Sequence, residues 1–86
     1  MPRALSIQRS IVPAGDRAKY IERVKARRAH YEKAKCRFWV FEEAALVGAF
    51  IEFTEADDAA TLAAAHASSP DRVLDPARIY TEVELG

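Results

Sequence analysis

Between Leu5 and Val12 the chain alternates with period two, setting Leu5, Ile7, Arg9 and Ile11 on one face and Ser6, Gln8, Ser10 and Val12 on the other. That pattern predicts a strand, stopped by Pro13-Ala14-Gly15. The period then changes to that of a helix, running to about Ala34, with Tyr20, Ile21, Val24 and Tyr31 on one stripe and Lys19, Glu22, Lys25 and Lys33 outside it. Asp16 stands where an N-cap carboxylate accepts from free amides of the first turn. Lys35–Phe41 and Leu46–Phe53 are rich in aromatic and β-branched residues and are joined by Glu42-Glu43-Ala44-Ala45, which predicts a hairpin. Thr54-Glu55-Ala56-Asp57 has the form of a capping box, opening a second helix over about 55–67. Its expected packing face is Ala56, Ala59, Ala63 and Ala67 with Leu62 and His66 beside them. Ser68-Ser69-Pro70-Asp71 and Asp75-Pro76 break the chain, and Ile79–Leu85 alternates again as a half-buried strand.

The order β-α-β-β-α-β is the split βαβ, ferredoxin-like plan: an α+β fold with a four-stranded antiparallel sheet and both helices on one face. The hairpin is apolar on both sides, with Cys36, Phe38, Val40, Leu46 and Phe50 opposite Trp39, Phe41, Val47, Ile51 and Phe53. A sheet face remains in water only if it is polar, so the helix-free face requires a cover. A second copy packed sheet to sheet about a twofold axis supplies one. Alternation alone leaves open which hairpin face looks outward.

The 86 residues amount to one small domain, short enough that a partner's apolar surface matters to its stability. Charges balance at 13 Lys+Arg against 13 Asp+Glu, yet residues 1–41 hold eleven bases and three acids, and residues 42–86 hold two bases and ten acids. Because the bases are spread around a helix and interleaved with Glu22 and Glu32, they read as a solvated face balanced by acids elsewhere, not as a nucleic-acid arm. The composition excludes disorder and low-complexity scaffolds. The single cysteine, Cys36, excludes an internal disulfide and reads as an inert buried thiol of a reducing, cytoplasmic setting. No stretch has the length of a membrane span, and no spacing of His and Cys suits a metal. No phosphate loop or serine elbow is present, so no metal or cofactor is expected.

His66 is the candidate catalytic residue, since imidazole titrates near neutrality and this one shares the packing face of the second helix. Arg28, in line with Val24 and Tyr31, is the candidate anchor for a ligand carboxylate, with Tyr20, Tyr31 and Trp39 as ring walls. Arg9, between Ile7 and Ile11, reads either as an anion contact or as an intersubunit partner of Glu52 or Glu82. Each has a plainer alternative that is the commoner outcome for its residue type: a packed histidine, a snorkelling arginine, aromatic rings of a core or interface. His30 falls off the apolar stripe and is expected at the surface.

From Leu5 to Leu85 the chain resembles the dimeric α+β barrel superfamily, which includes antibiotic-biosynthesis monooxygenase, haem-degrading monooxygenase and stress-responsive barrel families. The likeness rests on element order, on Arg27-Arg28-Ala29-His30-Tyr31-Glu32, and on the hairpin strands Cys36–Phe41 and Gly48–Phe53. It implies a homodimer formed through the sheets, with a ligand held between sheet and helices. The chain has no asparagine, and Trp39 lies in a strand segment, so the monooxygenase residue roles are not carried over. Two functions are expected from different classes. One is binding of a small apolar, aromatic or carboxylated molecule, with cofactor-independent proton transfer or oxygenation as the accompanying chemistry; the other is a non-catalytic stress-associated or interaction protein. A cavity of roughly 300 Å³ or more beside His66 marks the first, and a filled core marks the second.

Overall fold

The computed structural model describes residues 2–86. Strand β1 (Ala4–Ile11) leads through a single 3-10 turn, Ala14–Asp16, into helix α1 (Arg17–Lys33). Strands β2 (Arg37–Glu42) and β3 (Ala49–Ala56), helix α2 (Ala59–Ala67) and a short β4 (Tyr80–Thr81) follow. The sheet order is β2-β3-β1-β4 with every neighbouring pair antiparallel, an arrangement compatible with the ferredoxin-like plan.

Register fixes which side chains face the helices. Ser10 lies opposite Phe50, Gln8 opposite Glu52, Ser6 opposite Thr54 and Ala4 opposite Ala56, and because side chains alternate, these residues share one face. Phe50, Glu52, Thr54, Ala56, Ser6 and Ala4 are all buried there. The other face carries Leu5, Ile7, Ile51 and Phe53 together with Ile11, Trp39 and Phe41, the last three 77%, 43% and 57% exposed. The polarity is therefore unusual: buried Ser6, Glu52 and Thr54 lie among Phe38, Val40 and Phe50 on the covered face, while the helix-free face exposes Ile11, Trp39 and Phe41 beside Arg9, Arg37 and Glu55. It also settles the open question of the hairpin, since Trp39, Phe41, Ile51 and Phe53 look away from the helices.

The apolar core is split in two. One cluster gathers Ala4, Tyr31, Cys36, Ala56, Leu62 and Ala65 under α2, and the other gathers Tyr20, Val24 and Phe50 beneath the first half of α1. Phe38 packs against both.

Several expectations from the sequence are corrected. Thr54 forms no capping box, because residues 54–56 continue β3 in register with β1; Asp58 is the N-cap of α2, its carboxylate accepting from the Thr61 amide at 2.7 Å. Its packing face is Leu62, Ala65 and His66, with Ala63 and Ala67 exposed. Asp16 occupies the N-cap position of α1 without a side-chain bond. Only Tyr80 and Thr81 of the expected last strand pair with β1, whose first paired residue is Ala4; Val83 and Leu85 are exposed. Leu46 and Val47 belong to the turn before β3 and are exposed.

That turn depends on Gly48, whose φ of +92° lies in the left-handed region. A Cβ there would stand 2.5 Å from the Val12 carbonyl oxygen, which is backbone and has little room to yield. The Gly48 amide donates to Glu42 at 2.9 Å, and Arg17 donates to the same carboxylate twice; Arg17 first, then this amide, hold Glu42 down at about 2. Gly48→Ala is expected to cost about 2–3 kcal/mol, read as a lower urea midpoint with unchanged slope.

The charge asymmetry along the sequence resolves into ion pairs between the two halves. Arg3 pairs with Glu55 and Glu82, Arg17 with Glu42, Arg27 with Glu52 and Asp71, and Arg37 with Glu55 and Asp57. Among the described residues, no helix is long and apolar enough to cross a membrane.

Candidate functional site

Tyr20, Val24, Arg27 and Tyr31 recur at the spacing that keeps one helix face toward the sheet, and α1 aims them at the polar residues of β1 and β3. α2 supplies His66 from the opposite side, and residues 72–74 of the following loop close the front. Between them is a cavity of about 130 Å³ whose wall includes Gln8, Arg27, Tyr31, Phe38, Glu52 and His66. It is smaller than the expected 300 Å³ because Gln8 and Arg27 project into it and the loop lies across it, with Gln8 Nε2 donating to the Leu74 carbonyl at 2.8 Å. A cavity of about 150 Å³ holds a benzene ring, so a molecule of that size enters this one only if residues 72–74 yield.

Two polar networks form its walls. Tyr31 Oη lies 2.7 Å from His66 Nδ1, and His66 Nε2 lies 3.0 Å from Ser6 Oγ. In a neutral imidazole one nitrogen donates and the other accepts, so two tautomers reverse the direction of the chain. Either Tyr31 O–H donates to Nδ1 and Nε2–H to Ser6, or Ser6 O–H donates to Nε2 and Nδ1–H to Tyr31. The second network centres on buried Glu52, which accepts from Tyr20 O–H at 2.8 Å and from Arg27 Nε and Nη2 at 3.0 and 2.8 Å. Arg27 Nη1 donates to Asp71 at 2.8 Å. Among the described residues no buried side-chain nitrogen or oxygen lacks a partner.

Burial pushes the Tyr20 and Tyr31 phenols up, so both stay protonated near neutral pH. Burial, and then the neighbouring His30, lower His66 below its ordinary 6.5, which keeps it neutral and able to accept a proton. This sets a sign for stability. Below pH 6.5 the unfolded chain takes up the proton before the folded one, so folding free energy falls as pH drops from 6.5 toward the lower folded value. The groups about this imidazole are Tyr31 and His30 of α1 and Ser6 of β1, and acids titrating lower begin to contribute only near 4.5. Urea titrations between about pH 8 and 5 are expected to show this loss, and His66→Gln to flatten it.

The residues singled out from the sequence divide. His66 and Tyr31 line the cavity together, and Tyr20 supports it through Glu52. Arg9 reaches its rim from the open face; it does not pair with Glu52, which points to the other face and is held by Arg27 and Tyr20. Trp39 is not a cavity wall, because alternation along β2 puts Phe38 and Val40 beneath α1 and turns Trp39 outward. Arg28 is not at the cavity either: it is exposed on the flank of α1, beside Ile21, Val24, Phe38 and Val40. Arg27 takes that place. Including Ile21 in the apolar stripe displaced its centre toward Arg28; Tyr20, Val24 and Tyr31 alone, at about 100° per residue, point to Arg27. His30 is half-buried instead of at the surface, since its Nε2 donates to the Ala65 carbonyl at 2.9 Å and ties α1 to α2. Cys36 is buried, and burial pushes its thiol up.

Glu52 and Ser6 were missed as site residues. The signal was present in the isolated Glu52 between Ile51 and Phe53 and in the polar row Ser6, Gln8, Ser10. Among the described residues no group of three or more His, Cys, Asp or Glu is placed to hold a metal ion. Comparison of the chain with protein-family models, with curated proteins and with solved structures gives no match.

Proposed function

We propose that this chain is one protomer of a homodimeric α+β barrel that binds a small, aromatic-sized organic molecule between its sheet and helices, with the Tyr31–His66 pair placed to exchange a proton with it. The observation that carries this reading is the polar face beneath the helices. Burying polar groups costs free energy unless each finds a partner, and an apolar face would hold the helices more cheaply. Gln8, Glu52 and Thr54 instead line a cavity, with Ser6 behind His66, where oriented polar groups serve a ligand. The relay Tyr31–His66–Ser6 suits proton transfer, since a proton accepted at one imidazole nitrogen releases the proton at the other. Phe38, Val73 and Leu74 supply apolar wall for a ring or short chain.

The homodimer rests on the apolar open face, which a second copy covers sheet to sheet. Amide chemical-shift titration with phenol and with benzoate tests the ligand site. Shifts centred on Gln8, Tyr31, Thr54 and Val73 are expected. Absence of saturable shifts with both probes would leave the alternative, a non-catalytic interaction protein whose polar interior only holds its two helices in place.

A further inference from the structure

Arg27 is held unequally on its two sides. Its Nε and Nη2 donate to Glu52, a carboxylate fixed in the central strand β3 with its side chain only 5% exposed. Its Nη1 donates to Asp71, 40% exposed, on the loop between α2 and β4. That loop makes no strand pairing; it is positioned by the Asp71 amide donating to Ser69 Oγ and by Gln8 donating to the Leu74 carbonyl. One guanidinium thus serves two carboxylates, one more than its charge balances. The cavity wall also includes Arg72, which takes part in none of the ion pairs of the described residues.

We propose that Asp71 is an internal carboxylate occupying the ligand's place on Arg27, and that the cavity selects small organic carboxylates that displace it. The inference rests on the cavity being a ligand site and names the class of its ligand. When a ligand carboxylate takes the Nη1 edge, Asp71 turns out to solvent, where its exposure shows it already has access. The Arg27–Glu52 pair stays intact and neutral, and Arg72 supplies a cation for the incoming anion. A neutral molecule of the same size gains nothing from this exchange, because it leaves the Asp71–Arg27 bond in place. The loop carrying Asp71 therefore acts as a latch that a carboxylate opens and a neutral ring does not.

Isothermal titration of the full chain with benzoate and with phenol tests this, using wild type, Asp71→Asn and the charge-matched control Asp75→Asn. Asp75 lies on the same loop at φ +50°, a conformation asparagine adopts readily, and among the described residues its carboxylate pairs only with Arg78, at 3.8 Å. Asp71→Asn is expected to tighten benzoate by about fivefold, the effect of removing one partly exposed ion pair that competes with the ligand, and to leave phenol within about twofold. Asp75→Asn is expected to change neither. Unchanged or weaker benzoate binding by Asp71→Asn, or equal tightening by Asp75→Asn, overturns the proposal while phenol binding keeps the cavity reading. If neither probe binds any of the three proteins, both fall. Asp71→Ser repeats the test without an amide that could itself bond Arg27, and the same tightening is expected.

Discussion

Glu52→Ala is expected to cost about 3–5 kcal/mol, the range for removing one partner of a buried ion pair, and to leave the protomer largely unfolded at physiological temperature. Three donated hydrogen bonds end on this carboxylate, two from Arg27 and one from Tyr20. Without it the Tyr20 hydroxyl has lost its acceptor inside the protein, and the guanidinium keeps only Asp71, on a loop. A domain of this size has little reserve, since it buries a smaller share of its surface than larger proteins do. Glu52→Gln keeps an acceptor for Tyr20 while removing the charge, so its loss is expected to fall between wild type and Glu52→Ala. Urea denaturation followed by circular dichroism measures both; a loss below about 1 kcal/mol for Glu52→Ala would mean that water replaces the carboxylate at little cost.

The second large effect concerns association. Phe41→Glu is expected to weaken the proposed homodimer by about a thousandfold while the protomer stays folded. Phe41 is 57% exposed and touches Phe53 edge to face, with ring centroids 5.7 Å apart, so the protomer itself loses little. A twofold axis places each substitution in the interface twice, doubling the free-energy cost and introducing two buried carboxylates. Sedimentation velocity over a dilution series gives the constant directly. The single tryptophan, Trp39, lies on the same face and is expected to shift its emission to the red on dissociation. A wild-type chain that sediments as a monomer throughout would remove the homodimer and leave the apolar face to another partner.

Much of this architecture was legible in the chain because alternation is strict where a strand has two different faces. Leu5–Val12 shows it, and the register of β1 against β3 carries that pattern across the sheet. The change of period at Asp16 marked α1 for the same reason. The beginning of α2 was not legible, since Thr54-Glu55-Ala56-Asp57 satisfies a local capping pattern and only the long-range pairing with β1 makes it strand. The last strand failed differently: its alternation is real, but its pairing stops at Thr81, opposite the first residue of β1. At the cavity, Tyr31 and His66 were found from helical periodicity. Arg27 was displaced by its neighbour through the inclusion of Ile21, and Glu52 stayed hidden because a lone acid in an apolar strand reads as the wet side of a sheet. Here the wet-looking side is the inner one.

That inversion reaches into calorimetry. Exposing apolar surface raises heat capacity and exposing polar surface lowers it. Unfolding one protomer uncovers Ser6, Gln8, Glu52 and Thr54 along with its two small apolar clusters, so its heat-capacity increment is modest for its length. Ile11, Trp39 and Phe41 stay exposed in the folded protomer, with Ile51 and Phe53 half-buried beside them. Covering that face in the proposed homodimer would add a heat-capacity change of its own, and since apolar burial loses strength on cooling, such a dimer is expected to weaken in the cold.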